Sequence, residues 1–314
     1  MSLMENFKGW RYFFGEKYRY RIYKSIEAFD YKFHYVDIGA IGGVSLPWSQ
    51  LKGRMKVVSV EPNPTDNLNY NHPIGLSNKN QMGKLYITED SKCSSVYKPN
   101  EKLLQNFNIQ NTSGKGIVNE IDIQLLTGDE VLDSVEIIDF LKVDTQGSEY
   151  SIIDGLSKVL AKHSPIVYLE CWVIEVYKDA PTFDKILELM ALLEYETLWV
   201  EQGAVWKRTS NIKKGRGQVV GLDVLFIPKK ITTIYNQSDR KTIVLCHLLE
   251  LYGFFSHIEK ILDKNESKSE IILKYESEYK SRMKSLPINP IITILDYLFG
   301  FAGKKYKFFP KLYD

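Results

Sequence analysis

Four acidic residues at the ends of predicted β-strands are the side chains best placed to do chemistry in this chain. Asp37, Glu61, Asp144 and Glu170 each end or directly follow a run of largely apolar residues. In an open α/β sheet, ligands bind beside the carboxyl ends of the strands, so four acids there indicate an active site. Carboxylates suit proton transfer, hydrogen bonding to hydroxyl groups and attraction of cationic ligands.

A glycine-rich turn lies between the first two of these acids. Asp37 precedes a turn that contains Gly39, Gly42 and Gly43, and Glu61 follows Gly43 by eighteen residues. A strand, a glycine turn, a helix and a strand ending in an acid form the layout of a nucleotide site. The Glu61 carboxylate can accept hydrogen bonds from both hydroxyls of a ribose. The Asp37 carboxylate would repel a pyrophosphate and attract an ammonium group. S-adenosylmethionine has a ribose and an ammonium but no phosphate, so the pattern favours a methyl donor over a nicotinamide cofactor.

The elements that must position these residues alternate between strands and helices. Apolar runs predict strands at 33–38, 56–61, 72–77, 117–126, 137–143, 165–169, 196–200 and 222–227, and helical spacing predicts helices at 148–160 and 183–193. This alternation implies a largely parallel sheet covered on both faces. The polar segment 89–116 predicts a long loop over the site.

Composition restricts the class of protein. The net charge of +2 gives no general attraction to nucleic acid. Cys93, Cys171 and Cys246 are widely spaced, which fits a reduced compartment and no cysteine metal site. We find no secretory signal and no apolar run long enough to span a membrane, so we predict a cytoplasmic protein. The predicted regions are a basic and aromatic helical lead-in (1–32), a catalytic domain (33–230) and a helical C-terminal region (231–314).

The end of the chain carries a distinct pattern. The mostly apolar run 291–303 is followed by the basic and aromatic segment 304–309. Such a surface favours packing on the catalytic domain or on a second subunit. The alternative is peripheral contact of residues 291–309 with an anionic membrane.

The order of the motifs resembles that of the FkbM family of S-adenosylmethionine-dependent methyltransferases. The matching segments are Asp37–Gly43, Ser59–Pro64, Gly75–Ser77, Ile138–Glu149 and Ile166–Glu170. The resemblance covers roughly residues 34–228, and its most specific block is Leu141–Glu149. It implies a class I methyltransferase fold, which is a Rossmann-like, doubly wound, mostly parallel seven-stranded sheet. It also implies O-methylation, often of a sugar or natural-product hydroxyl.

The resemblance assigns roles to residues at matching positions. It implies the methionine end of the cofactor site for Asp37, Gly39, Ala40 and Gly43, the ribose acid for Glu61, the segment passing the adenine for Leu76 and Ser77, and the fourth-strand motif for Asp144 and Glu149.

Methyl transfer to a hydroxyl needs alignment of the acceptor and removal of its proton. Asp144 is the first candidate for this role and Glu170 the second. A divalent ion held by Asp144 is an alternative, although no His, Asp and Glu spacing marks a metal site. The expected acceptor is a carbohydrate or a small metabolite.

Two other functions stay open at this point. A nicotinamide-dependent oxidoreductase uses a similar sheet, but Asp37 and the lack of a Gly-x-Gly-x-x-Gly turn disfavour it. A non-catalytic nucleotide-binding module with the same fold is compatible with the departures from the family pattern at Ile41, Thr145 and Gln146.

Overall fold

The chain forms two compact units in the computed structural model, which describes residues 20–44, 48–63, 70–210, 216–230, 238–264 and 268–284. Of these residues, the sheet unit contains 33–44, 48–49, 55–63, 70–210 and 216–230, and the helical unit contains 20–32, 50–54, 238–264 and 268–284. The strands are β1 (Phe33–Ile38), β2 (Met55–Val60), β3 (Gly75–Ser77), β4 (Gln81–Thr88), β5 (Ile117–Thr127), β6 (Phe140–Val143), β7 (Ile166–Trp172), β8 (Tyr195–Trp206) and β9 (Gln218–Pro228). The α-helices are α1 (20–28), α2 (Glu101–Leu104), α3 (Ile109–Thr112), α4 (Gly128–Val131), α5 (Glu149–Asp154), α6 (Ser157–His163), α7 (Phe183–Leu192), α8 (Asp239–Leu251), α9 (Phe255–Lys264) and α10 (Glu270–Lys284). Two 3-10 helices span Trp48–Arg54 and Ser91–Cys93.

The main sheet has six described strands in the order β2-β1-β6-β7-β9-β8. The four strands from β2 to β7 are parallel, and β9 runs antiparallel to both β7 and β8. The α/β class is as predicted, but the seven-stranded, mostly parallel sheet is not what the described residues form. Since β1, β6 and β7 are parallel neighbours, their carboxyl ends meet at one edge, where Asp37, Asp144 and Glu170 lie.

The predicted strand 72–77 is not part of the main sheet. It corresponds to β3, which lies in a separate sheet of order β3-β5-β4. β3, which contains Leu76 and Ser77, pairs with β5, and His72, three residues before β3, forms an isolated parallel bridge with Val60 at the end of β2. The small sheet has its own apolar cluster, formed by Leu85, Ile87, Ile123 and Leu125. Burying these alternating side chains against one another stabilises β3-β5-β4 as a unit beside the main sheet.

The two faces of the main sheet are filled differently. One face packs Val36, Leu141 and Leu169 against apolar residues of α5, α6 and α7. The other face carries an aromatic group in which Tyr35 stacks on Phe140, with ring centroids 5.6 Å apart. Asp37 lies on this second face, because side chains two residues apart on a strand share a face.

The predicted helix 148–160 is interrupted at Gly155. A Cβ atom at this position would lie 2.2 Å from the carbonyl oxygen of Ser77. Only a glycine at this position allows β3 to approach the helical segment so closely. The chain therefore forms two helices, α5 before Gly155 and α6 after it. The predicted loop 89–116 contains α2, α3 and the 3-10 helix Ser91–Cys93.

The helical unit contains α1, α8, α9 and α10. Arg282 forms a two-point ion pair with Glu250, with both N···O distances 2.8 Å, and its Nη1 donates to Ser25. His247 Nε2 lies 3.1 Å from the same Ser25 hydroxyl. None of the helices in the described residues is long and apolar enough to cross a membrane. Residues 291–309 lie outside the described residues.

Candidate active site

Lys142 on β6 joins two of the predicted acids. Its Nζ lies 3.4 Å from Asp37 Oδ1 and 3.2 Å from Asp144 Oδ2. Asp37 and Lys142 are register partners on β1 and β6, and Asp144 follows Lys142 by two residues, so all three share one face of the sheet. The Asp37 side chain is 2% exposed and that of Asp144 is 33% exposed. Asp37 is therefore a buried support, and Asp144 is the member of the group that reaches solvent.

Burial and charge shift the pKa values of these carboxyl groups in opposite directions. Burial raises the pKa of Asp37 to about 6, although the Lys142 ammonium opposes this. Burial also acts to raise the pKa of Asp144, but the Lys142 charge and hydrogen bonds with Glu170, Lys142 and Gln146 lower it to about 2. Burial acts to lower the pKa of Lys142, yet the two carboxylates raise it overall. At neutral pH Asp144 is therefore a carboxylate paired with a charged lysine.

Glu61 is held by the backbone on both sides of the candidate cofactor site. Its Oε2 accepts from the backbone N–H of Ile41 at 3.2 Å, and its Oε1 accepts from that of Asn63 at 2.8 Å. The residue is 6% exposed and lines the cleft. The first contact ties the tip of β2 to the glycine turn after β1.

Gly39 packs backbone against backbone. Its φ is +78°, and a Cβ atom there would lie 1.9 Å from the carbonyl oxygen of Asp144. The left-handed conformation and the missing side chain both require glycine. The end of β1 therefore approaches the end of β6 as closely as the backbone permits, and the floor of the cleft is made of main chain.

A cleft of about 520 Å³, its solvent-open part included, lies above this floor. Of the predicted site residues, four line it: Gly39, Glu61, Leu76 and Asp144. Asp37, Ala40 and Ser77 are buried outside its lining, and Gly43 closes the turn by donating its N–H to Ala40 O at 2.8 Å. Glu170 also lies outside this lining, and the predicted loop contributes Ser94 and Ser95 to it.

The loop between β6 and α5 is held in an unusual conformation by Glu149. Gln146 has φ +61°, which is left-handed for a residue with a side chain, and Gly147 has φ +116°. Glu149 accepts from the N–H groups of Thr145 and Gly147 at 2.8 and 2.9 Å and from the Thr145 hydroxyl at 3.1 Å. Burial raises the pKa of Glu149 to about 7. Glu149 thus shapes the loop that carries Asp144 and Gln146, and this supports a structural role.

Glu170 and Asp144 form an acidic pair bridged by an amide. The Gln146 Nε2 donates to Asp144 Oδ1 at 3.2 Å and also to Glu170 Oε2. Burial, followed by the charge of Asp144, raises the pKa of Glu170 well above its usual value. Because the pKa of Asp144 is lowered and that of Glu170 is raised, Glu170 is the member of the pair that protonates first as the pH falls. On β9, Asp223 is the register partner of Glu170.

Sequence reasoning missed three residues of this region. Lys142 stands two residues before Asp144 inside a buried strand, a spacing that could have revealed the ion pair. Lys115 and Tyr177 give no such signal, because 62 residues separate them and Lys115 belongs to the predicted loop. In the structure Lys115 Nζ lies 3.1 Å from the Tyr177 hydroxyl, which contacts Gln146 Oε1 at 3.0 Å.

The described part of the chain contains no group of three or more His, Cys, Asp or Glu side chains arranged to hold a metal ion. Asp144, the candidate ligand of a divalent ion, is paired with Lys142 in this structure.

Comparisons with known proteins show the following similarities. A family model described as the methyltransferase FkbM domain matches residues 37–197, which is just over half of the chain. The crystal structure of methyltransferase FkbM from Methylobacillus flagellatus KT is similar at 15% identity and a TM-score of 0.35, over 62% of this chain and 43% of that chain. This chain therefore spans less than half the length of that relative. A search among curated proteins finds no match.

Proposed function

We propose, because the chain belongs to the FkbM family of methyltransferases, that it transfers a methyl group from S-adenosylmethionine to a hydroxyl of a carbohydrate or small metabolite. The observation that carries this proposal is the position of Glu61. Its carboxylate lines the cleft and is fixed by the backbone of the glycine turn, with Asp144 lining the same cleft.

The cleft residues fit the donor. Glu61 would accept hydrogen bonds from the ribose hydroxyls, and Leu76 with Pro62 would provide an apolar wall for the adenine. Main-chain atoms around Gly39 leave room for the methionine part. Asp37 would act from below the turn through its electrostatic field, since it lies outside the lining of the cleft.

The acidic pair would serve the acceptor. When bound, S-adenosylmethionine supplies an electrophilic methyl group and departs as a neutral thioether. The chain must therefore hold the acceptor oxygen in line and take up its proton. Asp144 is ionised and one-third exposed, so its carboxylate would accept the hydrogen bond from the acceptor hydroxyl, orient that oxygen and take up its proton as the oxygen–methyl bond forms and the methyl–sulfur bond breaks. Glu170, whose pKa is raised, would protonate before Asp144 as the pH falls and would then limit repulsion between the two acids. A divalent ion held by Asp144 remains a second route for activating the acceptor.

The nicotinamide alternative has less support. The segment after the glycine turn contains the 3-10 helix Trp48–Arg54 rather than a long α-helix. A pyrophosphate is stabilised by the N-terminus of an α-helix, and the Asp37 carboxylate beneath the turn would repel it.

The experiment is a calorimetric titration with S-adenosylhomocysteine and, separately, with NAD. Binding of the first alone supports the methyltransferase, binding of the second alone supports an oxidoreductase, and binding without any transfer supports a non-catalytic module. Transfer is then followed with methyl-labelled donor and a panel of sugars. An alkali-stable label indicates a methyl ether, whereas a methyl ester would be hydrolysed.

For the location we propose the cytoplasm, with no nucleic-acid partner. Contact with a second subunit or with an anionic membrane would involve residues 291–309, whose basic and aromatic sequence is the support for this part.

A further inference from the structure

Lys115 is a buried cation with an unusual set of neighbours. The residue is 6% exposed. Its Nζ donates to the Tyr177 hydroxyl at 3.1 Å and to Cys93 Sγ at 3.5 Å. A buried ammonium is costly unless its surroundings compensate the charge. The identity of those surroundings is therefore informative.

Three aromatic rings surround the Lys115 ammonium. Its Nζ lies 5.2, 5.0 and 5.8 Å from the ring centroids of Trp172, Tyr177 and Trp206. At such distances the negative faces of the rings attract a cation. These three rings form an aromatic box around the ammonium. Trp172 follows Glu170 by two residues on β7, so one ring of the box lies on the strand that carries one of the two acids.

A chain of hydrogen bonds leads from this box to the acidic pair. Lys115 can only donate, so the Tyr177 oxygen accepts from it. The Tyr177 hydroxyl contacts the Cys93 carbonyl oxygen at 2.8 Å and Gln146 Oε1 at 3.0 Å. On its other side, the Gln146 amide donates to Asp144 and Glu170.

The Gln146 amide therefore stands between a cation and a carboxylate. The charge of Lys115 attracts the amide oxygen, and the charge of Asp144 attracts the amide nitrogen, so both favour the same orientation of the amide dipole. Because the Tyr177 oxygen accepts a hydrogen bond from Lys115, the Tyr177 O–H group acts as the donor toward Gln146 Oε1 or the carbonyl oxygen of Cys93. The left-handed backbone of Gln146 points to a residue held in place by its surroundings.

We propose that Lys115 is a positioning residue of the active site, acting through Tyr177 to fix the Gln146 amide with its N–H groups toward Asp144 and Glu170. This proposal rests on the proposed function only because it assigns Asp144 and Glu170 to the binding of the acceptor. Segment 89–116, which provides wall residues of the cleft, would thereby also set the hydrogen bonding of the acids across from it.

The test is an infrared titration of the Glu170 carboxyl group. Absorption by protonated carboxyl groups is followed as the pH is raised, and Glu170→Gln identifies the band of Glu170. The charged or titratable groups that act on Glu170 include Asp144, with Lys142 behind it, Glu149 on α5 and Asp223 on β9, and the neighbouring Cys171 and Tyr177 also interact with its charge. The two test variants are Lys115→Met and Tyr177→Phe, and Lys102→Met on exposed α2 is the control.

In both test variants we expect Glu170 to lose its proton about one pH unit higher, a tenfold change in proton affinity, because amide N–H bonds that favour the ionised pair are lost. The control should titrate like the parent chain. Tyr177→Phe keeps the Lys115 charge and breaks only the hydrogen-bond chain. A shift in Lys115→Met alone would show a simple charge effect and overturn the proposal, as would no shift in either variant. The titration needs no donor, so failure of the chain to bind S-adenosylhomocysteine would overturn the proposed function and leave this result standing.

Discussion

Replacing Glu61 with alanine provides the sharpest test of the cofactor site. In the structure two backbone N–H groups, of Ile41 and Asn63, fix the carboxylate at the edge of the cleft. Hydrogen bonds to charged groups contribute about 1.5–3 kcal/mol each. Glu61→Ala removes the two hydrogen bonds that we propose between this carboxylate and the ribose hydroxyls. Their loss, partly offset by water, should weaken the binding of S-adenosylhomocysteine at least tenfold, as measured by calorimetry.

A second ligand separates lost ribose contacts from local damage. The 2′-deoxy analogue of S-adenosylhomocysteine lacks one of the hydroxyls assigned to Glu61. The parent chain should bind this analogue roughly tenfold to a hundredfold more weakly than the full ligand, for one lost bond of about 1.5–3 kcal/mol. In Glu61→Ala the two ligands should bind about equally, because the partner of the missing hydroxyl is gone.

The control for this experiment is Glu196→Ala, which removes an exposed acid from β8. It should leave both affinities and the difference between them unchanged. Thermal unfolding of each variant checks that the fold is retained. Preserved discrimination between the two ligands in Glu61→Ala would refute the assignment of Glu61 to the ribose, and so would its absence in the parent chain.

Four further predictions follow from the site and the end of the chain. Asp144→Asn should retain donor binding but slow methyl transfer by about 10²–10⁴-fold; an unchanged rate would leave Asp144 a structural role, and loss of parent activity on adding EDTA would favour the metal route. Gly39→Ala should abolish donor binding in calorimetry, because its Cβ would lie 1.9 Å from a carbonyl oxygen, and normal binding would contradict the close backbone approach. Since burial raises the pKa of Asp37 to about 6, the folded state binds this proton more tightly, and Asp37 should add about 2 kcal/mol to the free energy of unfolding as the pH falls from about 7 to about 4; urea titrations should show a rise smaller by this amount in Asp37→Asn, and an equal rise would assign the effect to other groups such as Glu149. Replacing the three lysines of segment 304–309 with serine should abolish co-sedimentation with anionic vesicles at low salt if the membrane alternative is right, and absence of binding by the parent chain would favour the subunit alternative.

The sequence predicts those parts of the fold that depend on local pattern. β1, β2, β6 and β7 are short, largely apolar runs, and each ends within two residues of one of the four acids. Parallel pairing then brings Asp37, Asp144 and Glu170 to one edge, as the general geometry of such sheets requires. The sequence also predicts the turn after β1, because the left-handed φ of Gly39 strongly favours glycine.

What depends on partners far apart in the chain could not be predicted. Strand β3 has only three residues, and its pairing with β5 rather than with the main sheet depends on apolar contacts with residues about 50 positions later. Lys115 looks like any loop lysine until Trp172, Tyr177 and Trp206 surround it. The opposite pKa shifts of Asp37 and Asp144 likewise require knowledge of which carboxyl group is buried and which reaches solvent.

The backbone floor at Gly39 distinguishes two parts of the cleft that differ in how far their residues can be changed. Where main chain meets main chain, no side chain is available to be exchanged, so the donor end of the cleft resists variation. The wall formed by segment 89–116 contains Ser91 and Lys92, which belong neither to β1 nor to β6, so their side chains can be exchanged without changing those strands. A search for altered acceptor range should therefore be confined to this wall, and libraries that include the glycine turn would mostly yield inactive chains.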